Sequence, residues 1–249
     1  MAIDFHKDAF VKEFSFLNST SKLNKTKLEG IPTSGKVTGI EVRLSKAHIV
    51  DNKTPKILIF PGYAKIYLLT IVASDLENQA PVLNLKSFAK VGDNESLPVD
   101  ASIFYWKEEE GSLQSPSQIH TLVSIIKSKE GLRNVGEILS EVQEDEGFKN
   151  ISKSFTTLAK NVAAQGAISS LLLDMSTILG RFLGDVEDKP LLTWVQSFTD
   201  INGDFDVLGK TTTSRKNKWA EANLSIIIRD KDRELEVARL HELPIDDLE

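Results

Sequence analysis

Residues 115–128, SPSQIHTLVSIIKS, carry the fold reading. Ser115 before Pro116, with Gln118 three residues after the serine, has the chemistry of a helix start. It offers a hydroxyl to cap the first turn, a ring at the position where an amide hydrogen has no partner, and an amide side chain that reaches back. Ile119, Leu122, Val123 and Ile126 then recur at helical spacing. Taken this way, the stretch closes a β-patterned region and opens a helical one.

Toward the N-terminus the period is two. Ile40, Val42 and Leu44 alternate with Glu41, Arg43 and Ser45, as a strand with one buried face requires. Further strands are expected at 56–60, 64–74, 81–91 and 98–106, separated by turn-forming Asp, Gly, Asn, Ser and Pro. Residues 1–35 are rich in Ser, Thr, Asn and Lys and read as a flexible N-terminal arm. Phe10, Phe14 and Leu17, with Phe5 nearby in angle, line one face of a short docking helix there.

Toward the C-terminus Leu132, Val135, Ile138, Leu139 and Val142 mark a second helix, and apolar residues across 148–183 mark a third and longer one. Strand patterning returns at Leu191. Asn202-Gly203 lies between two strand-like runs, where a type I′ hairpin turn would need positive φ at both central residues. The sequence thus reads as α+β, an antiparallel β-sandwich of about eight strands with an inserted helical segment. The expected divisions are a flexible N-terminal arm at 1–35, a first part of the sandwich at 36–110, the helical insertion at 115–184, a second part of the sandwich at 190–230, and an acidic C-terminal end at 231–249.

Composition narrows the function classes. The chain has 249 residues, 41% hydrophobic and 27% charged, an ordinary globular balance. It has no cysteine, which excludes disulfides, thiolate-held zinc, iron–sulfur clusters and thiol catalysis. The net charge of −6 is uneven: residues 230–249 hold eight acidic side chains against three basic ones, leaving 28 acidic and 27 basic in the preceding 229. No basic stripe suited to a phosphate backbone is present, so no nucleic acid is expected as partner. No run of signal-peptide or membrane-spanning character occurs, so the expectation is a soluble, cytoplasmic protein.

Candidate sites are few. Asp200, Asn202, Asp204 and Asp206 form D-x-N-G-D-x-D, a cluster of oxygen donors that calcium could use, although glycine and glutamate are not at EF-hand positions. A sandwich of about eight strands with Asp-rich loops, Asp51, Asp75 and Asp93 among them, looks like the C2 class of membrane-binding modules at fold level only. That resemblance implies loop carboxylates that bind calcium and bridge to an anionic membrane surface. The four histidines, His6, His48, His120 and His241, form no metal pair, and residues 203–211 miss the phosphate-loop spacing by one residue. Glu108, Glu109 and Glu110 are adjacent rather than opposed across a cleft, so they do not suggest paired acid–base catalysis. The helix at 148–183 reads as core, with membrane perturbation as its functional alternative.

The function expected is non-enzymatic, with no cofactor unless calcium: an interaction or structural protein working through protein–protein contacts or self-assembly. Phe5, Phe10, Phe14 and Leu17 are the expected partner-binding residues, because four large apolar side chains are costly to leave in water.

Overall fold

A computed structural model of the chain describes residues 3–11, 37–55, 62–76, 79–108, 115–158 and 165–230. Among the described residues the fold is mixed α+β and sandwich-like, with ten strands in two sheets and three helices. The strands are β1 (Phe10–Val11), β2 (Gly39–Ile49), β3 (Ala64–Ser74), β4 (Val82–Val91), β5 (Glu95–Leu97), β6 (Ala101–Lys107), β7 (Gln118–Ser128), β8 (Leu192–Thr199), β9 (Gly209–Lys216) and β10 (Ala220–Arg229). The helices are α1 (Val135–Glu144), α2 (Glu146–Leu158) and α3 (Gln165–Gly180).

One sheet has the order β1-β8-β7-β3-β4. The other has the order β5-β2-β10-β9, with β6 also paired to β2. All these pairings are antiparallel except β1 with β8, which sets Phe10 beside Trp194 and Val11 beside Val195. The layers follow from which side chains share a core. Ile66, Leu68, Ile119, Val123, Trp194 and Phe198 face the second sheet and meet Ile40, Val42, Leu224 and Ile226 there. The alternate residues Tyr67, Leu69, Ile71, Leu122, Ile126 and Val195 face the other way and meet Ile138, Phe155, Leu172 and Met175 of the helices. The first sheet is therefore a middle layer, with helices on one side and the outer sheet on the other.

That position explains residues 118–128. They form β7, not the expected helix. A strand covered on both faces loses its polar alternation and becomes a nearly continuous apolar run, which periodicity cannot separate from a buried helix. The capping signal is also used differently. Asp75, just past β3, accepts hydrogen bonds from the Ser117 and Gln118 amides and from the Ser117 hydroxyl, which pins the start of β7 to the end of β3. The helical elements of the described structure between β7 and β8 begin only at Val135, where the Asn134 side chain accepts from the amides of Gly136 and Glu137.

Two further expectations are corrected. Asn202-Gly203 does not close a hairpin: β8 pairs with β7, β9 pairs with β10, and the turn carries the chain from the middle sheet to the outer one. It contains a short 3-10 turn, Asp200–Asn202, and a left-handed Gly203 at φ 70. The apolar stretch at 148–183 is not one long helix. α2 and α3 lie side by side; residues seven apart along a single helix are already separated by about 10 Å of rise.

The described N-terminal residues, 3–11, do not form the expected docking helix. Residues 4–8 form a turn fastened by Asp4, whose carboxylate accepts from the amides of His6 and Lys7, and Phe10–Val11 then enters the sheet. Ile3 and Phe5 are buried in the helix-side core. Strand candidate 56–60 lies outside the described residues.

Candidate functional site

A cleft of about 320 Å³ lies at one end of the sandwich, where the N-terminal turn, the loop after β2, the approach to β8 and the β9–β10 turn converge. Four lysines from these four segments line it: Lys7, Lys53, Lys189 and Lys218, around Trp219.

Each is positioned by local chemistry. The β9–β10 turn is held by Asn217, whose side-chain oxygen accepts from the amides of Trp219 and Ala220, while its side-chain NH₂ donates to the Leu191 carbonyl at 2.8 Å. This side-chain-to-backbone turn is characteristic of asparagine. The Trp219 carbonyl in turn accepts from the amides of Val50 and Asp51, so the loop after β2 is drawn toward the same tryptophan. In that loop the buried Asn52 donates to the carbonyls of Gly62 and Val91 and accepts from the Thr54 amide.

Lys53 is thereby held with φ at 55, its amide donating to Asp51 and its carbonyl accepting from the Lys127 ammonium at 2.9 Å. The left-handed region is disfavoured for a residue with a long side chain, by about 1 kcal/mol or more. Three non-glycine residues among those described have positive φ, and two of them, Asp8 and Lys53, line this cleft. Backbone strain concentrated at one concave site marks a place where position matters.

The electrostatics agree. The ammonium groups of Lys53 and Lys218 stand 4.6 and 4.4 Å from the centre of the Trp219 ring. Lys189 reaches Asp8 at 3.5 Å, and Asp8 is the one acidic residue lining the cleft among the described residues. Lys7, Lys53 and Lys218 form no ion pair among the described residues. Burial lowers the pKa of Lys53 from the ordinary lysine value; Glu187 opposes this, and the like charges of Lys127, Lys218 and Lys189 add to it. A partly dehydrated ammonium beside other cations gains from an incoming anion more than a fully solvated one does.

The expected loop carboxylates fall at two ends of the sandwich. Asp200, Asn202, Asp204 and Asp206 lie at the far end of β8, about 20 Å from the cleft at the usual strand rise. Asp204 accepts from the Thr199 amide at 2.8 Å, and the Asn202 amide donates to the Thr199 hydroxyl. Asp75 shares that end, whereas Asp51 and Asp93 sit at the cleft end, bonded to the amides of Lys53 and Asn52. Among the described residues no three His, Asp or Glu side chains converge as a metal site.

Phe5 is fully buried, and Phe10 packs against the core between the sheets. Phe14, Leu17, Glu109, Glu110, His241 and the acidic end at 231–249 lie outside the described residues. No described helix is long and apolar enough to cross a membrane, and α3 buries Ile168, Leu172, Met175 and Leu179 against the middle sheet.

A second polar cluster lies beneath the helices. His120 Nδ1 is 2.8 Å from the Ser197 hydroxyl, and its Nε2 is 3.1 Å from the Gln118 side-chain oxygen. Burial pushes the imidazole down to about 4, so it is neutral at physiological pH. His120 has no exposed surface and Gln118 almost none, which suits a satisfied internal network better than a group that meets substrate.

Sequence reading missed the lysine cleft. Its one signal was the basic run at 215–218 ahead of Trp219; the other lysines come from distant segments with no shared spacing. No protein-family model matches the chain, and no curated protein matches it.

Proposed function

We propose that the chain is a non-enzymatic interaction protein that holds an acidic segment of a partner protein in the cleft of Lys7, Lys53, Lys189 and Lys218. The observation that carries this reading is the strained and partly dehydrated Lys53, set with Lys218 on Trp219 and unpaired with any carboxylate among the described residues. Keeping such an ammonium in a left-handed loop costs stability, and an anionic side chain seated against it offsets that cost. A volume of about 320 Å³ is at the small end of ligand sites and fits a short acidic stretch rather than a long polyanion.

The test is titration with a deca-glutamate peptide at low salt, followed by tryptophan fluorescence, with Trp219→Phe identifying the reporting ring. Binding is expected to weaken at least tenfold in Lys53→Ala/Lys218→Ala and to fall with added salt. Absence of binding at millimolar peptide, or binding that the double variant leaves intact, would overturn the proposal. Tighter capture of polyphosphate or of phosphatidylserine vesicles at the same lysines would overturn the choice of partner.

A further inference from the structure

The two sheets do not close on each other along the β4 side. β4 is the edge of the middle sheet, and its register with β3 sets Asn84 opposite Thr70 and Lys86 opposite Leu68. Directly paired residues share a face. Since Leu68 belongs to the core between the sheets, Thr70, Asn84 and Lys86 also point toward the outer sheet, where a closed sandwich would place apolar side chains.

The space they leave is a cavity of about 160 Å³, walled by Leu44, Leu68, Val99 and Ile103. A β-bulge shapes the wall. The β2–β6 register shifts between Val42 and Arg43, leaving Ile103 as an extra residue beside Phe104, and both side chains turn inward. Bulges re-aim side chains in this way.

Thr70 supplies the second observation. It is 4% exposed, it lines the cavity, and its hydroxyl makes no hydrogen bond among the described residues. The hydroxyl opens on the cavity rather than being sealed from it, so a molecule that enters can bond it. Lys86, exposed at the mouth, has no carboxylate partner among the described residues. An apolar floor, an unpartnered hydroxyl and an unpaired ammonium at the rim together describe a receptor for a small amphiphile with a negative head.

We propose that this cavity binds a monocarboxylate with a hydrocarbon chain of about six carbons, since an apolar cavity of about 150 Å³ admits a six-carbon ring. The carboxylate accepts from Thr70 and from the Asn84 amide and pairs with Lys86, and the chain lies between Leu68, Val99 and Ile103. This site is separate from the lysine cleft and stands without it.

The experiment is amide-resolved NMR of the full chain titrated with hexanoate, hexanol and hexylammonium. Hexanoate is expected to shift resonances at 68–70, 84–86 and 99–103, with hexanol at least tenfold weaker and hexylammonium inert. Lys86→Glu, a substitution at an exposed position, should weaken hexanoate at least tenfold and make hexylammonium bind. Thr70→Val, close in shape, should leave the fold intact and weaken hexanoate severalfold. No shifts at 10 mM hexanoate, shifts elsewhere, or equal binding of hexanol and hexanoate in wild type and Lys86→Glu would overturn the proposal.

Discussion

His120 makes the stability of this fold depend on acid in a window that can be worked out beforehand. In the unfolded chain the imidazole takes up a proton near pH 6.5. In the folded chain, buried among Ser197, Gln118 and Phe155, it does so only near pH 4. Above pH 6.5 neither state is protonated and the contribution to stability is whole. Between pH 6.5 and pH 4 the unfolded state binds the proton and the folded state does not, so stability falls as pH falls. Below pH 4 both states are protonated and the loss is complete.

Two and a half pH units at 1.36 kcal/mol each give about 3 kcal/mol from this one residue, a sizeable part of an ordinary domain's stability. The measurement is urea unfolding of wild type and His120→Gln at several values between pH 7 and pH 4. Other titrating groups are common to both proteins and cancel in the difference. Wild type minus variant should narrow by about 3 kcal/mol across that range. A difference flat in pH, or an imidazole NMR titration of His120 centred near 6.5, would refute the reasoning.

Two other outcomes follow from the packing. A Cβ on Gly180 would stand 3.0 Å from Ile3 and 3.1 Å from the Phe5 ring, so Gly180→Ala should destabilise the intact chain by about 1 kcal/mol. The same substitution should stabilise a chain lacking residues 1–11 by up to about 1 kcal/mol, because only the helix preference remains; chemical denaturation of the four proteins reads this. Asp204→Ala removes the acceptor of the Thr199 amide and should cost about 1 kcal/mol, equally with and without 1 mM calcium. A calcium-dependent rise in melting temperature confined to wild type would make that turn a metal site instead.

What was legible in the sequence follows how each element is solvated. β2 declares itself through Ile40, Val42 and Leu44, which alternate with the charged pair Glu41 and Arg43 on the opposite face. β7 hides because helices cover Leu122 and Ile126 while the outer sheet covers Val123 and Ile125. Asn202-Gly203 has a hairpin's chemistry, yet a turn knows nothing of which sheet its two strands join, and that partnership is long-range. The arm at 1–35 reads as polar overall, so the seating of Ile3 and Phe5 against Gly180 escaped notice: a glycine at a helix end gives no sign of what fills its space. The lysine cleft was beyond reach for a simpler reason. Lysine is the expected surface residue, and only the Asn52 and Asn217 clamps make four of them neighbours.

The pairing of β2 with β10 sets the order in which the chain must assemble. Gly39 meets Arg229 and Ile49 meets Ala220, so the centre of the outer sheet joins residues some 170 to 190 positions apart. During synthesis β2 emerges early, with Ile40, Val42, Leu44 and Ile49 on one face and no strand at its long edge until the last part of the chain appears. The β3–β4 hairpin and β7 can collect meanwhile, since their partners are closer in sequence. Loop closure over so long a separation is slow. A nascent chain stalled before residue 220 would therefore present β2's edge to its neighbours on the ribosome, an exposed strand edge of the kind that chaperones cover.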